Sequence, residues 1–216
     1  MDVLDALSIR VINAAHRVDR RQESLAEFAR LGIPVTRDVF FNAKFLENAG
    51  GRGCALSHAM ALSEFLFHED KPFALILEDD FSVREAADFL DPIGEAITQA
   101  PLWDVFLVGH NQAVPTETTP MARFQRVVHA QTTSGYVVGR AYASTLIQTF
   151  FRSAEHLRRY AGLPSPNREF ATQLTLCDVL WKELQLRDRF WAPFPSLIYQ
   201  RRSYSDIEKR VVDYQA

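Results

Sequence analysis

The sequence predicts an α/β fold in which a mostly parallel central sheet is flanked by helices, within one domain that spans residues 1–216. Two observations carry this prediction. Short apolar or β-branched stretches alternate along the chain with longer segments of helical periodicity, which is the pattern of strand–helix–strand units. One stretch, 73–77, is a continuous apolar run, as expected of a strand that is buried on both faces of a sheet.

The composition is that of a globular protein with a substantial core. Of 216 residues, 47% are hydrophobic and 24% are charged, and a chain of this length needs neither disulfides nor metal ions to stabilise a core. The net charge of −3 provides no general basic surface, which disfavours nucleic acid as a partner. Cys54 and Cys177 are the only cysteines, so there is no disulfide framework and a reducing compartment is favoured.

The cellular location follows from two absences in the sequence. The first residues lack the positive charge and the apolar segment of a signal peptide. No apolar run approaches the length of about 20 residues that spans a bilayer. We therefore expect a cytoplasmic protein, and peripheral contact with the inner face of a membrane stays open.

The elements before the apolar run follow the α/β order. Residues 8–13 are rich in β-branched side chains and predict a strand that ends at Asn13. A helix is predicted over 22–31 and a second strand over 35–41. The polar loop at 16–21 contains Arg17 and Arg20, which either bind a phosphate or nucleotide or lie in solvent at the start of the helix.

A glycine-rich segment, 50–53, leads into a helix that is predicted to end near residue 68. Backbone N–H groups at such a helix start attract anions, although the P-loop and dinucleotide motifs are both incomplete here. Cys54 and His58 are four residues apart and share a helix face. Two ligands do not make a zinc site, so we interpret them as a packed cysteine and a hydrogen-bonded histidine.

Glu78, Asp79 and Asp80 follow the apolar run directly. They lie at the C-terminal edge of the predicted central strand, where open α/β sheets bind their ligands. Carboxylates this close repel one another unless a cation neutralises them, and Mg²⁺ or Mn²⁺ uses carboxylates together with substrate phosphates. The alternative is a solvated acidic turn. The buried strand before the acids and the glycine-rich segment favour a metal site.

The second half of the chain continues the alternation of strands and helices. Ser134 and Gly135 open a predicted strand, where a glycine marks either a close approach to a ligand or a bulge. Asp178 is either a functional acid or an ordinary acid in a first helical turn. The predicted elements are a helix over 84–99, a strand over 103–109, a polar loop over 110–120, an edge strand over 123–129, a strand over 132–139, a helix over 140–151, a basic, mobile or acceptor-facing loop over 153–169 and a helix over 175–186.

Taken together, these motifs resemble glycosyltransferase family 25, which includes bacterial lipopolysaccharide galactosyltransferases and collagen galactosyltransferases. The resemblance covers nearly the whole chain. Its most specific part is Gly-Cys-x-x-Ser-His at 53–58 followed by Leu-Glu-Asp-Asp at 77–80. The other matching pieces are Val11-Ile12-Asn13 with Arg17 and 19–21, Ser134-Gly135-Tyr136, Asp178, Pro195, Gln200 and 205–207.

The resemblance implies a Rossmann-like domain of the GT-A type and an inverting, metal-dependent glycosyltransferase. Such an enzyme would move a hexose, with galactose as the first expectation, from a UDP-sugar to a glycan or glycolipid acceptor such as the lipopolysaccharide core or another surface polysaccharide. Mn²⁺ or Mg²⁺ would be its cofactor.

The resemblance also assigns roles to individual residues. Asp80 would be the first metal ligand, with Asp79 as a second ligand or, like Glu78, facing the donor. Asp178 would be the general base for the acceptor. A histidine near the C-terminus often binds the metal in GT-A enzymes, but no histidine follows His156, so that role is either absent or taken by Gln200 or Asp206. The remaining donor-binding residues would be Asn13, Arg17, Arg20, Gly53, Ser57, His58, Ser134 and Gly135.

The chemistry of glycosyl transfer fits these residue types independently. Charge develops on the departing diphosphate, and a cation lowers the barrier by stabilising it. An inverting displacement also needs one base beside the attacking hydroxyl group, and the chain has carboxylates in two separate places. Two alternatives use the same acids: a metal-dependent phosphohydrolase or nucleotidyltransferase, and a degenerate domain that binds a nucleotide-sugar without turnover.

Overall fold

The computed structural model describes residues 2–120 and 123–213. The strands of this part of the chain are β1 Leu7–Asn13, β2 Phe40–Asn42, β3 Phe73–Glu78, β4 Phe81–Val83, β5 Val105–Leu107, β6 Asn111–Thr118, β7 Phe124–Gln131, β8 Gly135–Gly139, β9 Phe190–Pro193, β10 Ile198–Gln200, β11 Ser203–Ser205 and β12 Arg210–Val212. Its helices are α1 Val3–Ala6, α2 Val18–Arg30, α3 Gly50–His68, α4 Leu90–Thr98, α5 Arg140–Tyr160, α6 Asn167–Thr175, α7 Cys177–Leu180 and α8 Lys182–Arg187.

Eight of these strands form one central sheet in the order β2-β1-β3-β8-β5-β9-β7-β6. The predicted α/β fold with a large central sheet is therefore confirmed. The pairing of its strands is mixed: β1 is parallel to β2 and β3, and β5 is parallel to β9, whereas β8 runs antiparallel to both β3 and β5. Because β3 lies between β1 and β8, its end is at the interior of the sheet.

The apolar run of β3 is explained by the two layers that cover the sheet. Ala74 and Ile76 point to one layer, in which α3 and α5 pack together. Leu75 and Leu77 point to the opposite layer, which includes side chains of α2 and α4. Each of these four side chains is fully buried, so alternation between an apolar and a polar face is absent from this strand.

Two predictions in the third quarter of the chain are wrong. Residues 110–120, predicted to be a polar loop, contain β6, and β7 lies between β9 and β6 instead of at an edge. β6 is itself the edge strand, which explains its misleading composition. An edge strand tolerates polar side chains and Pro115, and three register shifts interrupt its pairing with β7.

Several helices differ in extent from their predictions. The segment 153–169 is largely helical, because α5 continues to Tyr160 before Gly162 and Pro164, and α6 begins at Asn167. α2 begins at Val18 and so includes most of the predicted polar loop. α4 begins only at Leu90, and the helix predicted over 175–186 is divided into α7 and α8. Among the described residues, no helix combines the length and the apolar composition that crossing a bilayer requires.

A buried carboxylate joins α2 to the segment that follows β3. Glu27 Oε1 accepts hydrogen bonds from the backbone N–H of Val83 at 2.6 Å and from Ser82 Oγ at 3.2 Å. Arg30 Nη2 donates to the same oxygen at 2.5 Å and to the Val83 carbonyl oxygen at 2.6 Å. Burial raises the pKa of Glu27, but the bonds from Arg30 and Val83 outweigh it, so this pKa lies below its ordinary value.

We expect Glu27→Gln to lower the free energy of unfolding by about 1–2 kcal/mol at neutral pH, because a charge-assisted hydrogen bond is lost. A carboxylate whose pKa is lowered by folding stabilises the protein above its ordinary pKa, and that stabilisation disappears as the pH falls through the folded value. The difference from the wild type should therefore shrink in acid. Urea unfolding over a pH series measures it. Glu183→Gln, which affects an exposed pair with Arg152, is the control and should change little.

Candidate active site

The three consecutive acids lie at the C-terminal end of β3, as predicted. Asp79 and Asp80 are 6% and 5% exposed, and Glu78 is partly buried. This burial excludes the solvated acidic turn that the sequence left open. Three carboxyl groups packed this closely need compensating cations or protons, so their partners decide what the site can do.

Arg20 is the cation of this cluster. Its Nη1 lies 2.8 Å from Asp79 Oδ1 and 3.3 Å from Asp80 Oδ2, and its Nη2 donates to Ser203 Oγ at 2.5 Å. The guanidinium reaches the acids because it lies in the first turn of α2 and not in the expected loop. Arg20 therefore contacts the acids themselves in addition to lining a cavity beside them.

Asp79 is an anchor for the end of β1. Its Oδ2 accepts a 2.7 Å hydrogen bond from Asn13 Nδ2, and its Oδ1 is occupied by Arg20. Its carbonyl oxygen accepts from Ser24 Oγ at 3.0 Å and from Arg201 Nη2 at 2.9 Å. Both carboxylate oxygens of Asp79 thus accept hydrogen bonds within the protein. Asn13 therefore affects the site through its bond to Asp79.

Asp80 has the weaker contacts. Besides Arg20 at 3.3 Å, its Oδ1 lies 3.4 Å from Gln200 Nε2. Burial raises the pKa of Asp80 to about 7; the charge of Arg20 opposes this, and the charges of Glu78 and Asp79 add to it. Hard divalent cations bind such oxygens, and an incompletely neutralised buried carboxylate fits that chemistry. Asp80 is therefore the acid that best suits an Mg²⁺ or Mn²⁺ ion.

Glu78 faces the opposite side of the cluster. Its Oε1 accepts from Thr133 Oγ1 at 2.8 Å and lies 3.3 Å from His58 Nε2, and its Oε2 lies 3.3 Å from Gln200 Nε2. Burial raises the pKa of Glu78, but the bonds with His58 and Thr133 outweigh burial and hold it below the ordinary value. Glu78 is therefore ionised while Asp80 competes for a proton.

Both residues that were expected to replace a C-terminal histidine lie near the acids. Gln200 belongs to β10, which pairs with β4 directly after the acids, and its Nε2 contacts Glu78 and Asp80. Asp206 Oδ2 instead accepts from Arg17 Nη1 at 3.1 Å. Of the two, Gln200 is the one that contacts Asp80, but it does so through its amide nitrogen, while its amide oxygen accepts from Thr132.

Two cavities meet beside the acids. The first has a volume of about 160 Å³, and three cationic side chains, Arg17, Arg20 and Lys44, line it together with Asp79 and Asp80. The second has a volume of about 550 Å³, and its polar lining includes Asp178. The residues that line both cavities are Cys54, Glu78, Gln200 and Ile207.

Asp178 lies in the first turn of α7 and lines the second cavity. Burial raises the pKa of its carboxyl group, and the charge of Glu78 raises it further, whereas the backbone N–H of Thr132 opposes the shift. A carboxylate with a raised pKa is a stronger base than an exposed one. The structure thus places a basic carboxylate across a shared wall from the acid cluster.

Strained backbone lines the same cavity. Gln112 and Thr132 have φ angles of 50° and 72°, a region that costs a β-branched residue about 1–3 kcal/mol. Thr132 Oγ1 donates to Gln200 Oε1 at 3.0 Å, so the unusual conformation directs this side chain towards the acid cluster. Such strain is typical of ligand sites.

The glycine-rich segment shapes the first cavity through packing. The segment forms the first turn of α3 instead of preceding it. A side chain at Gly53 would place Cβ 2.2 Å from the Lys44 carbonyl oxygen. Ser57 Oγ donates to the Gly53 carbonyl oxygen at 2.7 Å and accepts from the Lys44 N–H at 2.8 Å. Gly53 and Ser57 therefore hold in place the loop that carries Lys44.

Ser134 and Gly135 are placed in the core and are not among the residues that line the two cavities. A Cβ atom at Gly135 would lie 2.5 Å from Ile198 Cδ1, and the Ser134 carbonyl oxygen accepts the Glu78 N–H at 2.9 Å. Their neighbours Thr132 and Thr133 line the second cavity instead. The sequence did not predict that Thr132, Thr133 and Lys44 line the cavities, because none of them belongs to a motif. The only indication was that the two threonines precede Ser134.

Similarity to known proteins is found in the fold and not in the sequence. No protein-family model matches the chain, and no curated protein sequence matches it. A197 from STIV is 11% identical, with 95% of this chain and 92% of that chain covered and a TM-score of 0.51. A mannose-1-phosphate geranyltransferase from Thermus thermophilus is 12% identical, with 87% and 73% covered and a TM-score of 0.46. A glycosyltransferase involved in the glycosylation of the major capsid of PBCV-1 is 9% identical, with 94% and 96% covered and a TM-score of 0.45.

The class defined by fold and site is an α/β protein with a buried acidic cluster at the end of a central strand. At 11% identity, the similarity to A197 from STIV concerns the fold alone, and the other two similarities are weaker. The resemblance to glycosyltransferase family 25 stays a prediction that rests on the motifs of the sequence.

We expect Asp80→Asn to raise the free energy of unfolding above that of the wild type at about pH 8, with a smaller difference at about pH 4. The carboxyl group of Asp80 binds its proton more tightly in the folded protein than in the unfolded chain. The contribution of Asp80 to wild-type stability should therefore fall as the pH rises from about 4 to about 7. Urea unfolding in the presence of a chelator measures this. Asp70→Asn, at an exposed position, is the control. An equal difference at both pH values would contradict the prediction.

Proposed function

We propose that this protein is a metal-dependent, inverting glycosyltransferase of the GT-A type. It transfers a hexose, galactose in the first instance, from a UDP-sugar to a glycan or glycolipid acceptor such as the lipopolysaccharide core. The observation that carries the proposal is Asp80, a buried and incompletely neutralised carboxylate at the end of the central strand, beside a cavity with three cationic side chains. Residues 1–216 would form one domain of this enzyme.

The first cavity would bind the diphosphate of the donor. Arg17, Arg20 and Lys44 line it, and cations at this position attract a diphosphate and stabilise the charge that develops on it as the glycosidic bond breaks. Asp80 would hold Mn²⁺ or Mg²⁺, and Gln200 would join it by turning its amide oxygen from Thr132 towards the ion. The ion, when bound, supplies further stabilisation of the leaving diphosphate.

The second cavity would bind the sugar of the donor and the acceptor. Its volume of about 550 Å³ is within the range of ligand sites, roughly 300–1,000 Å³. Asp178 accepts the proton of the acceptor hydroxyl group as that oxygen attacks the anomeric carbon. Because attack occurs on the face opposite the leaving diphosphate, the configuration at this carbon inverts. The raised pKa of Asp178 strengthens it as a base.

A glycolipid acceptor would bring the protein to the inner face of a membrane. α6 exposes Phe170 and Leu174, one helical turn apart, and Arg168 is exposed on the same short helix. Exposed apolar side chains next to a basic one suit the interface of a bilayer. Peripheral membrane contact of a cytoplasmic enzyme is therefore part of the proposal.

One observation favours a second candidate, a domain that binds a nucleotide-sugar without turnover. Arg20 already contacts both Asp79 and Asp80, and so occupies part of the space in which an ion would neutralise them. Such a domain would bind the donor through the first cavity without a metal. The phosphohydrolase or nucleotidyltransferase alternative differs in releasing phosphate or pyrophosphate without a sugar acceptor.

We expect UDP to bind the wild type more tightly with Mn²⁺ than with a chelator, and Asp80→Ala to remove this difference. Loss of an outer-shell partner of a metal typically lowers affinity by about 10–100-fold, and loss of a direct ligand should lower it at least as much. Isothermal titration calorimetry measures both affinities. Asp70→Ala is the matched control and should behave as the wild type.

Equal affinity with and without Mn²⁺ in the wild type would contradict the metal-dependent enzyme and favour the domain without turnover. Metal-dependent release of phosphate from UDP, with no acceptor present, would instead identify the phosphohydrolase. A panel of UDP-sugars in the same titration selects the donor, because the preferred hexose should bind more tightly than UDP alone.

We expect Asp178→Asn to lower the rate of transfer by about 100–10,000-fold, the usual contribution of a general base, with UDP affinity largely unchanged. The wild-type kcat/KM should rise with pH through the raised pKa of Asp178, and this rise should be absent from the variant. Slow transfer to water or to a simple glycoside provides the assay. Asp91→Asn, at an exposed position of α4, is the control. Retained transfer would remove Asp178 from this role.

A further inference from the structure

Four side chains of the types that bind metals lie at the wall between the two cavities. Cys54 and His58 belong to α3, Glu78 ends β3, and Cys177 begins α7. One ligand atom each from Cys54, His58 and Glu78 lies within 4.8 Å of the others. The thiol of Cys177 lies 3.7 Å from that of Cys54. Cys54 and Glu78 line both cavities, so an ion has a path from solvent to this cluster.

We propose that Cys54, His58, Glu78 and Cys177 bind a soft divalent cation of the Zn²⁺ class. The pair of Cys54 and His58 alone did not support such a site. The fold adds a carboxylate and a second thiol from two other elements, and so completes a set of two sulfur, one nitrogen and one oxygen ligands. Zinc sites are typically built from four ligands of these types.

Two of the six distances between the four ligand atoms match those of tetrahedral zinc. A tetrahedron with Zn–S bonds of about 2.3 Å has a sulfur–sulfur edge of about 3.8 Å, and the two thiols are 3.7 Å apart. Zn–N and Zn–O bonds of about 2.0–2.1 Å give a nitrogen–oxygen edge of about 3.3–3.4 Å, and His58 Nε2 lies 3.3 Å from Glu78 Oε1. Each pair thus has the separation that a shared ion requires. Cys177 lies outside the group of three ligand atoms that are within 4.8 Å of one another, so its thiol must move closer to that group when an ion binds.

Tyr136 orients the imidazole of His58. Its hydroxyl group lies 3.1 Å from His58 Nδ1, and the two rings stack at 5.8 Å. Metal-binding histidines commonly use one ring nitrogen for the ion and the other for such an orienting hydrogen bond. The contact leaves Nε2 directed at Glu78, on the side where the ion would lie. Each thiol that binds releases its proton to solvent.

This site is chemically distinct from the one proposed at Asp80. Thiolate and imidazole ligands favour Zn²⁺ and related ions, whereas carboxylates favour Mg²⁺ and Mn²⁺. The soft site would join α3, β3 and α7 across the wall between the cavities. Its existence does not depend on the transfer of sugars, so the two proposals can fail separately.

Titration of the metal-free, reduced protein with Co²⁺ tests the proposal. Cobalt replaces zinc in such sites, and a thiolate–cobalt bond gives an intense absorption in the near ultraviolet. We expect this band to saturate at one Co²⁺ per chain and to disappear when Zn²⁺ is added. Cys54→Ser and Cys177→Ser should each lose about half of the band or more, and the double variant should lose all of it, because the chain has no other cysteine.

Asp80→Ala provides the matched control, since it should keep the cobalt band while losing Mn²⁺-dependent UDP binding. A wild type without the band, or single cysteine variants with an undiminished band, would overturn the proposal. The wild type alone gives a second test that needs no folded variant. One equivalent of Zn²⁺ should protect both thiols from alkylation and raise the thermal midpoint, and an equal effect of Mg²⁺ would also overturn the proposal.

Discussion

The contact of Arg20 with Asp79 and Asp80 is the interaction on which the site depends. It brings together the first turn of α2 and the end of β3, and through Ser203 it also includes the C-terminal hairpin of β11 and β12. Removing the guanidinium would leave two buried carboxyl groups without their main cation, which costs far more than the ion pair itself contributes. The same residue affects what else can bind: it occupies part of the space beside Asp80, yet it leaves that carboxylate only partly neutralised.

The sequence predicts those parts of the fold whose pattern is set by burial. The run at 73–77 has a single physical explanation, a strand covered on both faces, and the structure confirms it. β6 could not be recognised in the same way, because an edge strand has one exposed side and tolerates proline and polar residues. The extension of α5 to Tyr160 buries Ala154 and Leu157. Its exposed face carries pairs between Glu155 and Arg158 or Arg159, which in sequence resemble any charged loop.

The site could be predicted where it lies at the end of a recognisable element. Asp80 and Glu78 follow an apolar strand, and both line the first cavity. Other parts of the site come from loops whose position depends on tertiary contacts. Lys44 reaches the first cavity because Gly53 permits a close approach of the backbone, and Thr132 lines the second cavity in a conformation that no local preference favours. Neither position has a signature in the sequence.

The hairpin of β11 and β12 also has a consequence for the order of folding. The carbonyl oxygen of Tyr204 accepts hydrogen bonds from Arg17 and Arg20, across sequence separations of 187 and 184 residues. Contacts between residues so far apart in sequence form late in folding, because most of the chain must be ordered before they are made. The hairpin follows β9, the last strand of the central sheet along the chain. Residues of this hairpin line the first cavity, so a chain whose central sheet has formed still has an incomplete site until the hairpin packs against Arg17 and Arg20.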